Sequence, residues 1–142
     1  MIRSARGGPY GTERKKRRLR EVQPMIDQEK LDEIEQYVRH CVDNGLGMPG
    51  VEILSSKWLL RILFHLGRKS PWRFGALKRR LPGISNAALA AALRELTERK
   101  LVLRKQYNEL PLRVEYSITE AGRELLELDY NLIQWEKKFC FP

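Results

Sequence analysis

Fourteen lysines and arginines lie between Lys57 and Arg113 against only Glu95, Glu98 and Glu109, a local charge of +11. Side chains of this kind do their chemistry on anions. Arg73, Lys78, Arg79, Arg80, Arg104, Lys105 and Arg113 are suited to neutralising phosphate oxygens, which positions a protein on a polyanion without reading its sequence. Within the same stretch run Ser85, Asn86, Ala87, Ala90, Ala91 and Arg94, three alanines among three residues with hydrogen-bonding side chains. If this run is helical, the 100° step per residue measured from inward Leu89, Leu93 and Leu96 sets Ala87, Ala91, Arg94 and Glu98 opposite the core, with Asn86 and Ala90 on the flanks. Such a face permits close approach to a DNA major groove and contact with thymine methyls. Only Arg94 and Asn86 on it offer obvious hydrogen bonds to base edges.

Other chemistry is poorly represented. No Ser/His/Asp, Cys/His, metal or phosphate-loop set is visible, which argues against an enzyme and against a cofactor. Cys41 and Cys140 are too few for a disulfide scaffold, and with His40 and His65 they do not complete a zinc site. Cys41 shares an apolar stripe with Leu31, Ile34 and Val38, which reads as a buried, inert thiol. Arg39 and His40 beside it would favour redox sensing were the thiol exposed. Cys140, near the chain end, is the second candidate for redox sensing, and otherwise reads as an incidental exposed thiol.

The chain is 142 residues with a net charge of +9, enough for one core and not for two. That charge is unevenly placed. Residues 1–20 hold eight basic residues against one acid, residues 21–56 two against eight, and residues 114–142 three against six. The first 24 residues, rich in Gly and Arg and without apolar periodicity, read as a disordered basic arm, either a DNA-binding arm or solvated charge. No signal-peptide pattern or membrane span is visible, so a cytoplasmic, nucleoid-associated protein is expected.

Elements able to position these residues follow from spacing. Asp27 predicts an N-cap for a helix with Leu31, Ile34, Val38 and Cys41 on one face, ended by Asn44-Gly45, with Gly47–Gly50 as a turn. Ser55 and Ser56 precede a core helix from Lys57 to Leu66, with Gly67 at its stop. A short helix covers about Gly75–Leu81, and Ser85 opens the next, reaching about Arg99. Leu101–Gln106 and Arg113–Ile118 read as a hairpin. After Thr119 a last helix carries Leu125, Leu128, Leu132, Trp135 and Phe139 at spacings of 3, 4, 3 and 4, a seam of the kind that packs on another helix. The expectation for residues 25–142 is therefore a mainly α domain with a small β-hairpin wing, a winged helix-turn-helix with N- and C-terminal dimerisation helices.

The blocks Ser56-Lys57-Trp58, Arg73-Phe74, Leu81-Pro82-Gly83-Ile84-Ser85, Leu93-Arg94-Glu95-Leu96 and Pro111 to Gly122, in this order and at these separations, resemble the HxlR-type winged-helix transcriptional regulators of bacteria. The resemblance covers roughly Val51 to Trp135. It implies a homodimer on a pseudo-palindromic operator in double-stranded DNA, with recognition helices in successive major grooves and wings on the flanking minor groove or backbone. It names no small-molecule effector. The chain departs from the family where Ala87, Ala90 and Ala91 replace long polar side chains, and Lys100 replaces a common glycine. Many members also have a sensing Cys-Pro near the N-terminus, whereas Cys41 precedes Val42. The alanine-rich face motivates an alternative, a winged helix serving as a protein-interaction or nonspecific nucleic-acid module.

Overall fold

The computed structural model describes residues 26–141; the basic arm expected over residues 1–24 lies outside them. The described residues fall into two units, one of residues 26–48 with the chain from Asn131 onward, the other Pro49–Tyr130.

In the first unit, α1 (Gln28–Asp43) begins as its sequence predicts, with the Asp27 carboxylate accepting from the Glu29 N–H at 3.1 Å. It ends where Gly45 takes φ +61°, so that the Leu46 N–H reaches the Cys41 carbonyl at 2.8 Å and the Gly45 N–H that of Val42. This is a Schellman closure, which favours glycine at that position. Of the predicted stripe only Cys41 is buried; Leu31, Ile34 and Val38 are exposed.

The second unit runs α2 (Pro49–Ser55), α3 (Lys57–Arg68), β1 (Trp72–Arg73), α4 (Phe74–Arg80), α5 (Asn86–Glu98), β2 (Val102–Tyr107), β3 (Arg113–Ile118) and the start of α6 (Glu120–Phe139). The strands form one antiparallel sheet in the order β1-β3-β2. Three elements differ from expectation. The turn expected at Gly47–Gly50 gives way to a helix from Pro49, consistent with proline at a first helical position. β1 has no counterpart in the sequence reading; its two residues are a strand only through pairing of Trp72 with Tyr116 and Arg73 with Glu115. Gly67 does not stop α3, which continues through Arg68. A Cβ on Gly67 would sit 2.6 Å from a Leu126 methyl, so the glycine serves close packing of α6 on α3.

One core joins these pieces. Ile62, Leu63 and Leu66 of α3, Leu77 of α4, Leu81, and Leu89, Leu93 and Leu96 of α5 are all fully buried, with Val102 and Ile118 closing it from the sheet. Burial of such side chains stabilises by roughly 1.5–3 kcal/mol each before chain entropy is counted. The core thus fixes α5 by its leucine face.

α5 ends in a second Schellman closure, with the Leu101 N–H on the Leu96 carbonyl at 2.9 Å and the Lys100 N–H on that of Thr97 at 3.0 Å. Here the left-handed position is Lys100, at φ +60°. A side chain there costs about 1 kcal/mol relative to glycine. Lys100→Gly is therefore expected to stabilise the protein by about 1 kcal/mol, raising Tm by a few degrees in a thermal melt; an unchanged or lower Tm would show the lysine conformation to be unstrained.

Candidate nucleic-acid interface

Between α4 and α5 the chain turns through Leu81–Ser85. Gly83 takes φ +89°, the Ile84 N–H donates to the Leu81 carbonyl at 3.2 Å, and the Ser85 hydroxyl accepts from the Ala88 N–H at 3.0 Å, capping α5. Leu81 and Ile84 anchor the turn in the core. Lys78 reaches over it, its ammonium donating to the Ile84 carbonyl at 3.3 Å. A helix pair joined by so short and so well bonded a turn presents its second helix in one orientation.

The presented face matches the 100° calculation. Asn86, Ala87, Ala91, Arg94 and Glu98 are exposed, Ala90 is half-buried, and Ala92 turns into the core. Hydrogen-bonding capacity on this face is therefore concentrated at Asn86, beside the N-cap, and at Arg94 two turns on.

The structure distributes the predicted phosphate-binding residues unequally. Arg73 and Arg79 are exposed. Lys78 is half-buried and engaged on Ile84. Arg80 stacks 5.6 Å from the Trp72 ring centroid and stands beside His65 of α3. Arg104 and Lys105, neighbours in sequence, point to opposite faces of the wing because strand side chains alternate; Arg104 pairs with Tyr116 and Lys105 with Glu115. Arg113 is the clearest departure from the expected phosphate role. Its guanidinium lies 3.8 Å from the Tyr107 ring centroid, 3.2 Å from Glu109 and 3.7 Å from Glu115, while the Tyr107 hydroxyl donates to Glu115 at 3.2 Å. Arg113 thus braces the wing and is already neutralised. Such engagements join residues several positions apart through folded geometry, so composition alone does not display them.

Thr119 and Gly122 tie the wing to α6. The Thr119 hydroxyl donates to the Lys100 carbonyl at 2.7 Å and accepts from the Gly122 N–H at 3.2 Å, while the Thr119 N–H donates to the Leu101 carbonyl. One side chain thereby caps α6 and holds the end of α5. Arg99 adds a bridge to Glu52 of α2 at 3.1 Å and to Glu95 at 3.0 Å, ion pairs that raise its pKa, the Glu52 contact most strongly.

In the first unit, Cys41 is 5% exposed and Cys140 half-buried, and both are free thiols. The neighbouring Cys41 thiol raises the pKa of the Tyr37 phenol. Leu128, Leu132 and Trp135 are exposed along α6, Phe139 is half-buried beneath a tilted contact with Trp135, and Leu125 instead packs on the core. Among the described residues no helix is long and apolar enough to cross a membrane.

Known proteins share this architecture. Residues 53–142 match the family model described as HxlR-like helix-turn-helix. The HTH-type transcriptional regulator YdzF of Bacillus subtilis, itself uncharacterized, is 38% identical over 85 residues, covering 60% of this chain and 78% of YdzF. An uncharacterized HTH-type transcriptional regulator of Halalkalibacterium halodurans is 33% identical over 108 residues, 76% of this chain and 95% of that protein. Among solved structures, the reduced form of the transcriptional regulator YodB from B. subtilis superposes with a TM-score of 0.58 at 31% identity, covering 63% of this chain and 87% of YodB. The redox regulator HypR in its oxidized form gives 0.54 at 31% identity, covering 62% and 90%. With the helix-turn-helix geometry and the matched span in agreement, the chain belongs to the HxlR-like helix-turn-helix family and is a winged-helix, DNA-binding transcription regulator.

Proposed function

We propose that the protein acts in the cytoplasm as a homodimer on a pseudo-palindromic operator, placing α5 of each protomer in successive major grooves, and that its work is binding without catalysis or a cofactor. The observation that carries this reading is the outward face of α5, small and exposed at Ala87 and Ala91 with Arg94 and Asn86 as its readers, set by a turn bonded at Ser85, Leu81 and Lys78. Self-association is supported by the apolar residues left exposed on α1 (Leu31, Ile34, Val38) and on α6 (Leu128, Leu132, Trp135). The burial of Cys41 favours a structural thiol over a sensing one.

Selection from randomised duplexes should enrich inverted repeats whose half-sites lie about one helical turn apart, roughly 34–36 Å. A pool that never enriches would leave a nonspecific module in place of a regulator. On the enriched sequence, Arg94→Ala should weaken binding by about 10- to 100-fold, the worth of a good base contact, with a smaller loss on random duplex at the same salt. Equal losses would make Arg94 a phosphate contact. Leu132→Asp, which sets a carboxylate into the exposed α6 seam, should weaken self-association about ten-fold or more by light scattering; an undiminished dimer would place the interface elsewhere.

A further inference from the structure

A second basic surface lies on and beside α3, built, apart from Arg80, of residues outside those predicted for DNA. Lys57, Arg61, Phe64 and Arg68 recur at spacings of 4, 3 and 4 along the face opposite Leu59, Ile62, Leu63 and Leu66. Because α3 and α5 share one core, their outward faces look away from each other. The cations are held over aromatic rings: Lys57 and Arg61 at 4.6 and 5.4 Å from Trp58, Arg68 at 5.6 Å from Phe64, Lys69 and Arg80 at 5.1 and 5.6 Å from Trp72. Trp72 is itself fixed by donating to the His65 carbonyl at 3.2 Å.

The manner of holding matters. A carboxylate partner cancels a cation, whereas a ring orients it and leaves its charge available. Among the described residues no carboxylate pairs with any of these five. The crowding is felt at His65, whose pKa is lowered by burial and then by Arg61, Arg80 and Arg68.

We infer that this cation-lined face of α3 binds the sugar–phosphate backbone of a second DNA segment, on the side of the domain opposite the recognition helix. From Lys57 to Arg68 the ladder runs about 16 Å at 1.5 Å per residue, the length of about five phosphates of one strand. Its charge is of one sign and linear, as a polyphosphate requires. An acidic protein segment would need apolar anchor pockets as well, and here cations stand over each of the rings, Phe64 among them, although it remains 49% exposed. The inference rests on the DNA-binding reading of α5 only for its consequence, that one protein molecule joins two duplexes.

The test uses full-length protein carrying Ala91→Glu, which disables the recognition face, with and without Arg61→Ser, Arg68→Ser and Lys69→Ser. Ala91→Glu protein should still bind a duplex of random sequence, measured by anisotropy, and the triple substitution should weaken that binding at least ten-fold and flatten the slope of log affinity against log salt by about 3. In the wild-type background the triple variant should bind a short operator duplex within two-fold of normal, yet lose recruitment of a second labelled duplex to bead-bound operator. An unchanged random-duplex affinity would overturn the inference. So would equal loss on the short operator, which would place α3 in the operator interface, a monomeric triple variant, which would make the face a contact between copies, or stronger binding of a poly-glutamate peptide than of duplex, which would indicate a protein partner. Failure of wild-type protein to select an operator would count against the reading of α5 alone, since the random-duplex arm does not use it.

Discussion

Ala91→Glu is expected to lower affinity for operator DNA at least 100-fold while leaving Tm within a few degrees of wild type. The position is exposed, at the middle of α5 and opposite its leucine face, so the new side chain displaces nothing in the core. Glutamate is also a good helix former, and the change costs only a few tenths of a kcal/mol in propensity. In the groove the same carboxylate meets phosphates and acceptor-rich base edges, and like charges brought together cost several kcal/mol; a 100-fold loss requires about 2.7 kcal/mol. Anisotropy titration at fixed salt and a thermal melt check both halves. Retained operator affinity would remove α5 from the interface altogether.

Gly122→Val should destabilise the protein by about 3 kcal/mol, near the upper end of what overpacking typically costs, seen as a drop in denaturation midpoint and in Tm. Gly122 is buried in the first turn of α6. A Cβ there would stand 2.5 Å from the Leu101 carbonyl oxygen and 2.7 Å from a side-chain carbon of Ile118. The first obstacle is backbone, held where it is because that carbonyl accepts the Thr119 N–H. Valine adds two methyl groups to the conflict. Gly122→Ala should lie between, and a series without this order would show that α6 shifts freely from Leu101. Sequence block Thr119-Glu120-Ala121-Gly122 thus has a physical meaning: a hydroxyl cap followed, three residues on, by the absence of a side chain.

Residues with local jobs are legible in the sequence. Asp27 and Ser85 cap the helices expected of them, the two strands of the wing fall within a residue of their expected bounds, and the exposed face of α5 follows from the leucine period alone. What escapes a sequence reading is of two kinds. α2 and β1 are seven and two residues long, too short to show a period, and β1 exists only against β3. Engaged cations are the other kind. Arg113 and Lys78 look like free charges until folding sets Glu109 and Glu115 beside the one and the Ile84 carbonyl beside the other. Net charge counts such residues; it cannot tell which remain available to a phosphate.

The Thr119 hydroxyl touches both the carbonyl just past α5 and the amide in the first turn of α6. With Gly122 pressed on Leu101, neither helix end can turn without carrying the other. The end of α5 and the start of α6 are consequently one bonded joint, and a displacement of the first turn of α6 would press first on the backbone carbonyls of Lys100 and Leu101.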